Sequence, residues 1–110
     1  MGSTKLYKGS LQTIIMTLLN KQGKMYGYQI IKEVEKLTGN QLKLTEGALY
    51  PTLHKLEESG ILETNMIKVD GRMRKYYQLT ESGKKETVNK IQELFDFIDN
   101  MQTLVNLKTI

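Results

Sequence analysis

The residues with the clearest chemical potential are the cations between positions 68 and 75, where the chain reads KVDGRMRK. Four of these eight side chains are basic and only Asp70 is acidic, so the segment holds +3 of the chain's net charge of +4. The basic residues are Lys68, Arg72, Arg74 and Lys75. Arginine forks match phosphate oxygens, and lysine adds a point charge. This local excess indicates an anionic partner more strongly than the total charge does.

The residue types that catalysis and metal binding require are scarce. The chain has no cysteine and a single histidine, His54. No second histidine, cysteine or oriented carboxylate accompanies His54, which disfavours a metal-ligand or general-base role. The sequence also lacks a nucleophile–base pair and a phosphate-cradling glycine loop. We therefore predict a protein that is not an enzyme and that needs no metal ion or cofactor.

Length and hydropathy limit the class of protein further. The 110 residues suffice for one domain with a modest core. No run approaches the roughly 20 apolar residues of a membrane span, and the N-terminus lacks the apolar region of a signal peptide. The absence of cysteine fits a reducing compartment. We expect a soluble, cytoplasmic protein without a membrane segment.

Two amphipathic helices are predicted in the first forty residues. Ser10 is placed to cap a helix over residues 9–22, and a second helix begins near Tyr26–Tyr28 and stops at Gly39–Asn40. The apolar residues of each follow helical spacing. They are Leu11, Ile14, Ile15, Leu18 and Leu19 in the first helix, and Ile30, Ile31, Val34 and Leu37 in the second.

A third helix is predicted after Thr45, which can cap it. Its buried face would carry Leu49, Leu53 and Leu56, and it would close at Ser59–Gly60. The alternating residues 42–44 (LKL) before it predict a short strand.

Pro51 is unusual within that third helix. It has no N–H to donate to the carbonyl of Gly47, so we expect a late helix start or a bend in the first turn. Two interpretations of this bare turn are open: a place where backbone N–H groups meet a phosphate, or a proline that is merely tolerated near a helix start.

Asp70–Gly71 predicts a two-residue hairpin turn, because a type I′ turn needs positive φ at both central positions. The turn would join residues 61–69 to 72–79 and pair Leu62 with Leu79, Thr64 with Tyr77, and Lys68 with Met73. Strand alternation places Arg72 and Arg74 on one face and Lys75 on the other. We expect Tyr76 and Tyr77 to pack at the base of the hairpin.

A long last helix is predicted from Glu81 to near Leu107, capped by Thr80. Its apolar residues form two stripes, and one stripe can pack on the chain's own domain while the other needs a partner. The first stripe is Val88, Ile91, Phe95, Ile98 and Val105; the second, which we predict to mediate dimerisation, is Leu94, Phe97, Met101 and Leu104.

The resulting order of elements predicts a mainly α fold with a small β-hairpin. A helix followed by a charged two-stranded ribbon is typical of a winged helix-turn-helix that meets DNA. We expect residues 1–80 to form this unit and residues 81–110 to form a C-terminal dimerisation helix, together as one compact body.

Several segments carry a resemblance to a known family. They are GSLQTIIMTLL from Gly9, YGYQI from Tyr26, GALYPTLHKLEESGIL from Gly47, and GRMRKYYQLT from Gly71 followed by Gly83. These segments span most of the chain, and their order resembles the PadR family of bacterial transcriptional regulators. The single C-terminal helix is similar to the smaller subgroup of that family.

The resemblance implies a sequence-specific, homodimeric regulator of transcription, expected to be a repressor, that binds a pseudo-palindromic operator in double-stranded DNA. Subunits of such proteins pair through their C-terminal helices, and each third helix enters a major groove while each wing contacts the backbone or the adjoining minor groove. Carried onto this chain, the DNA-binding residues are Thr45, Glu46, Tyr50, Pro51, His54 and Lys55 on the helix, and Lys68, Arg72, Arg74 and Lys75 on the wing.

The resemblance leaves several alternatives open. Some family members bind flat aromatic molecules between the C-terminal helices; Phe95 and Phe97 could serve such a small hydrophobic or aromatic effector, or form a plain apolar seam. Tyr50 could present its hydroxyl to a phosphate or pack its ring on a neighbouring helix. Of Tyr26 and Tyr28, one is expected to be buried and the other to reach the DNA or the wing. A winged-helix module that binds another protein and not DNA is the alternative function.

Overall fold

The structure is a computed structural model that describes residues 9–107. In chain order its elements are α1 (Leu11–Gln22), β1 (Met25–Tyr26), α2 (Gly27–Leu37), α3 (Glu46–Glu58), β2 (Leu62–Val69), β3 (Arg72–Leu79) and α4 (Glu81–Val105). The predicted mainly α fold with a small hairpin is confirmed. The ends of the two predicted domains, at residues 1–8 and 108–110, and the N-terminal segment judged for a signal peptide lie outside the described residues.

One hydrophobic core lies beneath the first three helices and the base of the hairpin. The predicted apolar faces of α1 and α3 are confirmed, with Ile15, Leu49 and Leu53 completely buried. The core side chains come from α1, β1, α2, Leu44, α3 and the hairpin base: Leu11, Ile15, Met16, Leu18, Leu19, Met25, Ile30, Ile31, Val34, Leu44, Leu49, Leu53, Leu56, Leu62, Tyr77 and Leu79.

The predicted helix ends agree with the structure at two of three caps. The Thr45 hydroxyl accepts a hydrogen bond from the Ala48 N–H at 3.2 Å, and the Thr80 hydroxyl accepts one from the Gly83 N–H at 2.9 Å. Each satisfies a backbone donor that the helix itself leaves unpaired. Ser10 occupies the N-cap position of α1, but its side chain makes no capping hydrogen bond.

Two expectations about the region after α1 are wrong. Leu37 is 62% exposed, because the buried face of α2 ends at Val34 and periodicity alone does not say how far a neighbouring element extends. Residues 42–44 form no strand. The third strand is β1 instead, which pairs with the outer edge of β3 through Met25–Tyr77 and Tyr26–Tyr76.

The hairpin forms with the predicted register. Leu62 pairs with Leu79, Thr64 with Tyr77, and Lys68 with Met73. Asp70 has a φ of 51° and Gly71 a φ of 78°, the positive values that a type I′ turn requires. The sheet order is β1-β3-β2, so β3 is the central strand.

The start of helix α4 is buried through small residues rather than through an apolar stripe. Gly83 and Thr87 are its buried residues, and a Cβ on Gly83 would overlap the Ile61 carbonyl. The prediction that one apolar stripe packs on the chain's own domain is therefore wrong. Only Ile91 and Leu94 are half-buried; the remaining apolar residues of both stripes are exposed, namely Val88, Phe95, Phe97, Ile98, Met101, Leu104 and Val105.

The cause is geometric. At about 1.5 Å per residue, the 25 residues of α4 extend about 37 Å, and its tight contact with the domain lies in its first two turns. The later turns extend past α1. Within residues 9–107, no helix is both long and apolar enough to cross a membrane.

Candidate nucleic-acid interface

Helix α3 presents a continuous exposed surface on the side opposite its buried leucines. Because Leu49, Leu53 and Leu56 point into the core, the residues between them point outward. All six residues predicted for this helix lie on the exposed surface: Thr45, Glu46, Tyr50, Pro51, His54 and Lys55.

The first turns of α3 leave backbone accessible. The helix begins at Glu46 and Pro51 lies well inside it, so of the two expected outcomes, a late start or a bend in the first turn, the late start is wrong. Since Pro51 has no N–H, the Gly47 carbonyl cannot receive its usual helical hydrogen bond. A Cβ on Gly47 would meet nothing within 4 Å. This bare turn is open to a polar ligand.

Tyr50 packs against the start of α2 and remains 41% exposed. Its ring lies so close to Gly27 that a Cβ there would overlap the Tyr50 hydroxyl. Partial burial raises the pKa of Tyr50 above its ordinary value of 10.0, and the neighbouring Glu46 and Tyr77 raise it further. The ring thus fixes α3 against α2, while the neutral hydroxyl lies at the edge of the exposed surface.

His54 and Lys55 both point outward, as predicted. The His54 Nε2 atom lies 3.4 Å from the Glu58 Oε2 atom, and the two side chains are 70% and 69% exposed. An exposed pair of this kind contributes little to stability, and it is an ion pair only when the imidazole is protonated. Lys55 lines a shallow cleft of about 370 Å³ between α1 and α3, together with Gln12 and Thr52.

One face of the hairpin is tied to the end of α3. The Lys75 Nζ atom lies 3.6 Å from the Glu57 Oε1 atom, and the Thr64 hydroxyl donates to the Glu57 Oε2 atom at 3.3 Å. The Lys75 ammonium is also 5.5 Å from the centroid of the buried Tyr77 ring. Glu57 therefore offsets the charge of Lys75 and holds the hairpin beside the helix.

The other face of the hairpin holds Arg74 by a different contact. The Arg74 Cζ atom lies 4.2 Å from the centroid of the Tyr26 ring. That ring meets Tyr76 edge-on, with centroids 5.5 Å apart and an interplanar angle of 76°. Within the part of the chain that the structure describes, Arg72 and Lys68 have no hydrogen-bonded, acidic or aromatic partner.

Charge is unevenly divided between helix and hairpin. Helix α3 carries three acids (Glu46, Glu57, Glu58) and one lysine, a net charge of −2 with neutral histidine. Residues 62–79 carry four bases and two acids (Glu63, Asp70), a net charge of +2. The attraction for an anion thus comes from the hairpin. On α3 the positive end of the helix dipole lies at the N-terminal turn, the end opposite Glu57 and Glu58.

Sequence reasoning missed Glu57 and left Tyr26 undecided between two places. Tyr26 is the half-buried tyrosine that reaches the hairpin, while Tyr28 is exposed with the Lys32 ammonium 5.5 Å from its ring centroid. Neither role has a local sequence signature, because both depend on β1 and α3 lying beside the hairpin.

Among residues 9–107, no group of three or more His, Cys, Asp or Glu side chains is placed to hold a metal ion.

The four residues predicted for dimerisation lie on α4 at spacings of three and four. Phe97 is 59% and Leu104 57% exposed, Met101 is also exposed, and Leu94 is half-buried against its own chain. Contiguous exposed apolar side chains of this size mark an interaction surface.

Comparisons with known proteins agree with this architecture. The model of the transcriptional regulator PadR-like family matches residues 15–89. A protein of Lysinibacillus sphaericus without an assigned function is 33% identical over 103 residues, covering 90% of this chain and 94% of that protein. The transcriptional regulator YqjI of Escherichia coli is 31% identical over 91 residues, which cover 77% of this chain but 42% of YqjI.

Solved structures show the same fold. A transcriptional regulator from Clostridium thermocellum superposes with a TM-score of 0.86 at 27% identity, covering 96% of this chain and all of that one. A PadR-like transcription factor from Bacteroides fragilis gives a TM-score of 0.73 at 26% identity, covering 92% of this chain and 95% of that one. PadR-like proteins are regulators of transcription and not enzymes. The match over residues 15–89 spans more than half of the sequence, and this chain therefore belongs to the PadR-like family of transcriptional regulators.

Proposed function

We propose that this chain is a homodimeric repressor that binds a pseudo-palindromic DNA operator. The observation that carries the proposal is the exposed surface of α3 beside a hairpin with net charge +2, two of whose cations, Lys68 and Arg72, have no partner among the described residues. In a PadR-like regulator, a surface of this shape and charge fits double-stranded DNA.

The two parts of this surface have different roles. Lys68, Arg72 and Arg74 neutralise phosphates and set the register of the protein on the duplex, whereas Lys75 first has to leave Glu57. The exposed residues of α3 enter the major groove, where Thr45, Tyr50, His54 and Lys55 reach base edges and Glu46 and Pro51 border them. Residues 1–80 form the DNA-binding unit in this scheme.

Residues 81–110 pair two subunits. The exposed apolar residues of α4, with Leu94, Phe97, Met101 and Leu104 at their centre, cover the same residues of a second chain. Two-fold symmetry then presents two α3 helices to half-sites about 34 Å apart. A flat aromatic effector would lie against Phe95 and Phe97, and it would act only by binding one dimer geometry more tightly than another. With DNA as target, the protein acts in the cytoplasm.

The test is binding to DNA at several salt concentrations. Genomic fragments that the wild-type protein retains would first be selected, and the affinity for one of them measured by fluorescence anisotropy. Each phosphate contact contributes about 0.9 to the slope of log affinity against log salt. Because each of the two subunits loses two contacts, the change of Arg72→Ala with Arg74→Ala is expected to reduce the slope by about 3.6 and to weaken binding at every fragment alike.

The matched control is Lys84→Ala with Lys85→Ala, which removes the same charge from α4 at the base of the hairpin, away from its turn. It is expected to leave the slope nearly unchanged. If no fragment is enriched, a module that binds another protein becomes the better explanation. If both double variants alter DNA binding equally, the assignment of the phosphate contacts to the hairpin is wrong.

A further inference from the structure

The two hairpin arginines are held differently, although they lie on the same face of β3. Arg74 lies over the Tyr26 ring at 4.2 Å, while Arg72, one step nearer the turn, has no partner within residues 9–107. An arginine that stacks on a ring uses the flat face of its guanidinium, so the N–H donors at its edge stay available. An ion pair would instead occupy those donors and cancel the charge.

Tyr26 is itself fixed from two sides. In the sheet it pairs directly with Tyr76, whose ring meets it edge-on. Its backbone N–H donates to the Gln29 Oε1 atom at 3.3 Å, at the start of α2. These contacts fix the position of the Tyr26 ring in the domain. The Arg74 guanidinium, which packs on this ring, therefore has a defined position as well.

The opposite face of the hairpin provides the contrast. Lys75 is also held, but by Glu57, which offsets its charge. Of the four hairpin cations, Arg74 alone among the described residues is both positioned and free of an acidic partner.

We propose that Tyr26 is a positioning residue for DNA binding, whose ring holds the Arg74 guanidinium ready for a backbone phosphate. The inference rests on the proposed function, and it adds a residue outside both the recognition helix and the hairpin. Because Arg74 loses less side-chain freedom when it binds, its phosphate contact forms at lower entropic cost than one made by a free arginine. In this proposal, the pairing of β1 with β3 places the Tyr26 ring beside Arg74.

A double-mutant cycle on the selected DNA fragment tests this. Tyr26→Leu is expected to weaken binding about two- to five-fold for each half-site, the range that an exposed cation–π contact supports, and hence about 4- to 25-fold for the dimer. Tyr26→Phe is expected to keep nearly wild-type affinity because it keeps the ring. In the Arg74→Gln background, Tyr26→Leu is expected to have no further effect, whereas in the Arg72→Gln background it keeps its full effect. A structural defect would weaken both backgrounds equally.

The outcomes separate the two proposals. If Arg74→Gln binds with wild-type affinity, Arg74 contacts no phosphate and the role of Tyr26 falls with it, whereas a weakened Arg72→Gln would leave DNA binding by the hairpin standing. If Arg74→Gln weakens binding but Tyr26→Leu adds the same loss in both arginine backgrounds, DNA binding by the hairpin stands and the positioning role of Tyr26 is overturned.

NMR of the wild-type protein supplies a measurement that needs no variant, should Tyr26→Leu not fold. The Nε–H resonance of Arg74 is expected to shift upfield in the ring current of Tyr26 and to show slower side-chain motion than that of Arg72. Two indistinguishable arginine resonances in the free protein would overturn the proposal, and a shifted, ordered Arg74 would support it.

Discussion

The α3–hairpin surface and the later turns of α4 expose opposite kinds of side chain. Over the hairpin and the start of α3, charged and polar residues are exposed above a filled core. Along α4, Phe95, Phe97, Leu104 and other apolar side chains are exposed within residues 9–107. The hairpin, with its net charge of +2, fits an anionic partner, whereas an apolar surface fits a partner that is itself apolar.

The two regions also differ in what fixes their shape. Tyr50 against Gly27 and Glu57 against Lys75 and Thr64 fix the first region within a single chain. The later turns of α4 have no such contacts among the described residues, so their final arrangement depends on the partner. We therefore expect the first region to be formed before it binds, and the second to be completed by association.

The largest expected effect comes from charging the apolar surface of α4. Phe97→Glu with Leu104→Glu is expected to give monomers in sedimentation velocity, because two charges cannot be buried without partners. Loss of the second half-site contact should then weaken DNA binding about 100-fold or more.

Gln92→Glu with Thr103→Glu is the control for this change. It adds the same charge to α4 on the polar side that also carries Asp96 and Asp99. A dimer that survives the first pair of changes and dissociates with the second would place the interface on the other side of the helix.

The next largest effect tests whether the packing of Tyr50 against Gly27 fixes the position of α3. Gly27→Ala places a Cβ on the Tyr50 ring, and overpacking of this kind is expected to lower the free energy of unfolding in urea by about 1–3 kcal/mol. In a Tyr50→Ala background the same change should cost almost nothing, since the colliding ring is gone.

Gly47→Ala is the matched glycine change on α3 itself. Its Cβ would meet no neighbour, so stability should rise by up to about 1 kcal/mol through the better helix propensity of alanine. Equal tolerance of alanine at positions 27 and 47 would contradict the packing that we describe for Tyr50.

The smallest effect concerns Thr80, which lies between the hairpin and α4. The Thr80 hydroxyl accepts from the Gly83 N–H, and its single proton is shared between the carbonyls of Gly60 at 2.7 Å and Ile61 at 3.2 Å. Within residues 9–107, the Thr45 hydroxyl makes only its cap bond to Ala48. Loss of a threonine cap costs about 0.5–2 kcal/mol. We expect Thr80→Ala to lie near the upper end of this range and Thr45→Ala near the lower end.

Urea unfolding at one fixed protein concentration would measure both, since dimer stability depends on concentration. Equal costs at the two positions would show that Thr80 acts only as a cap and that its contacts to residues 60 and 61 add nothing.

Much of the fold could be predicted because its determinants are local. Helical spacing gave the buried faces of α1 and α3, and Asp70–Gly71 gave the turn and register of the hairpin. The errors arose where distant segments decide. β1 exists because Met25 and Tyr26 reach the edge of β3, whereas residues 42–44 form no strand.

The candidate site divides in the same way. The sequence by itself determined which side chains are cationic, which face of β3 each occupies and which face of α3 is exposed, because charge, strand alternation and helical period belong to the chain. Only the tertiary structure decided that Lys75 is opposed by Glu57 and that Arg74 rests on Tyr26. These contacts join residues 18 and 48 positions apart, and only the packing of separate elements brings such residues within reach.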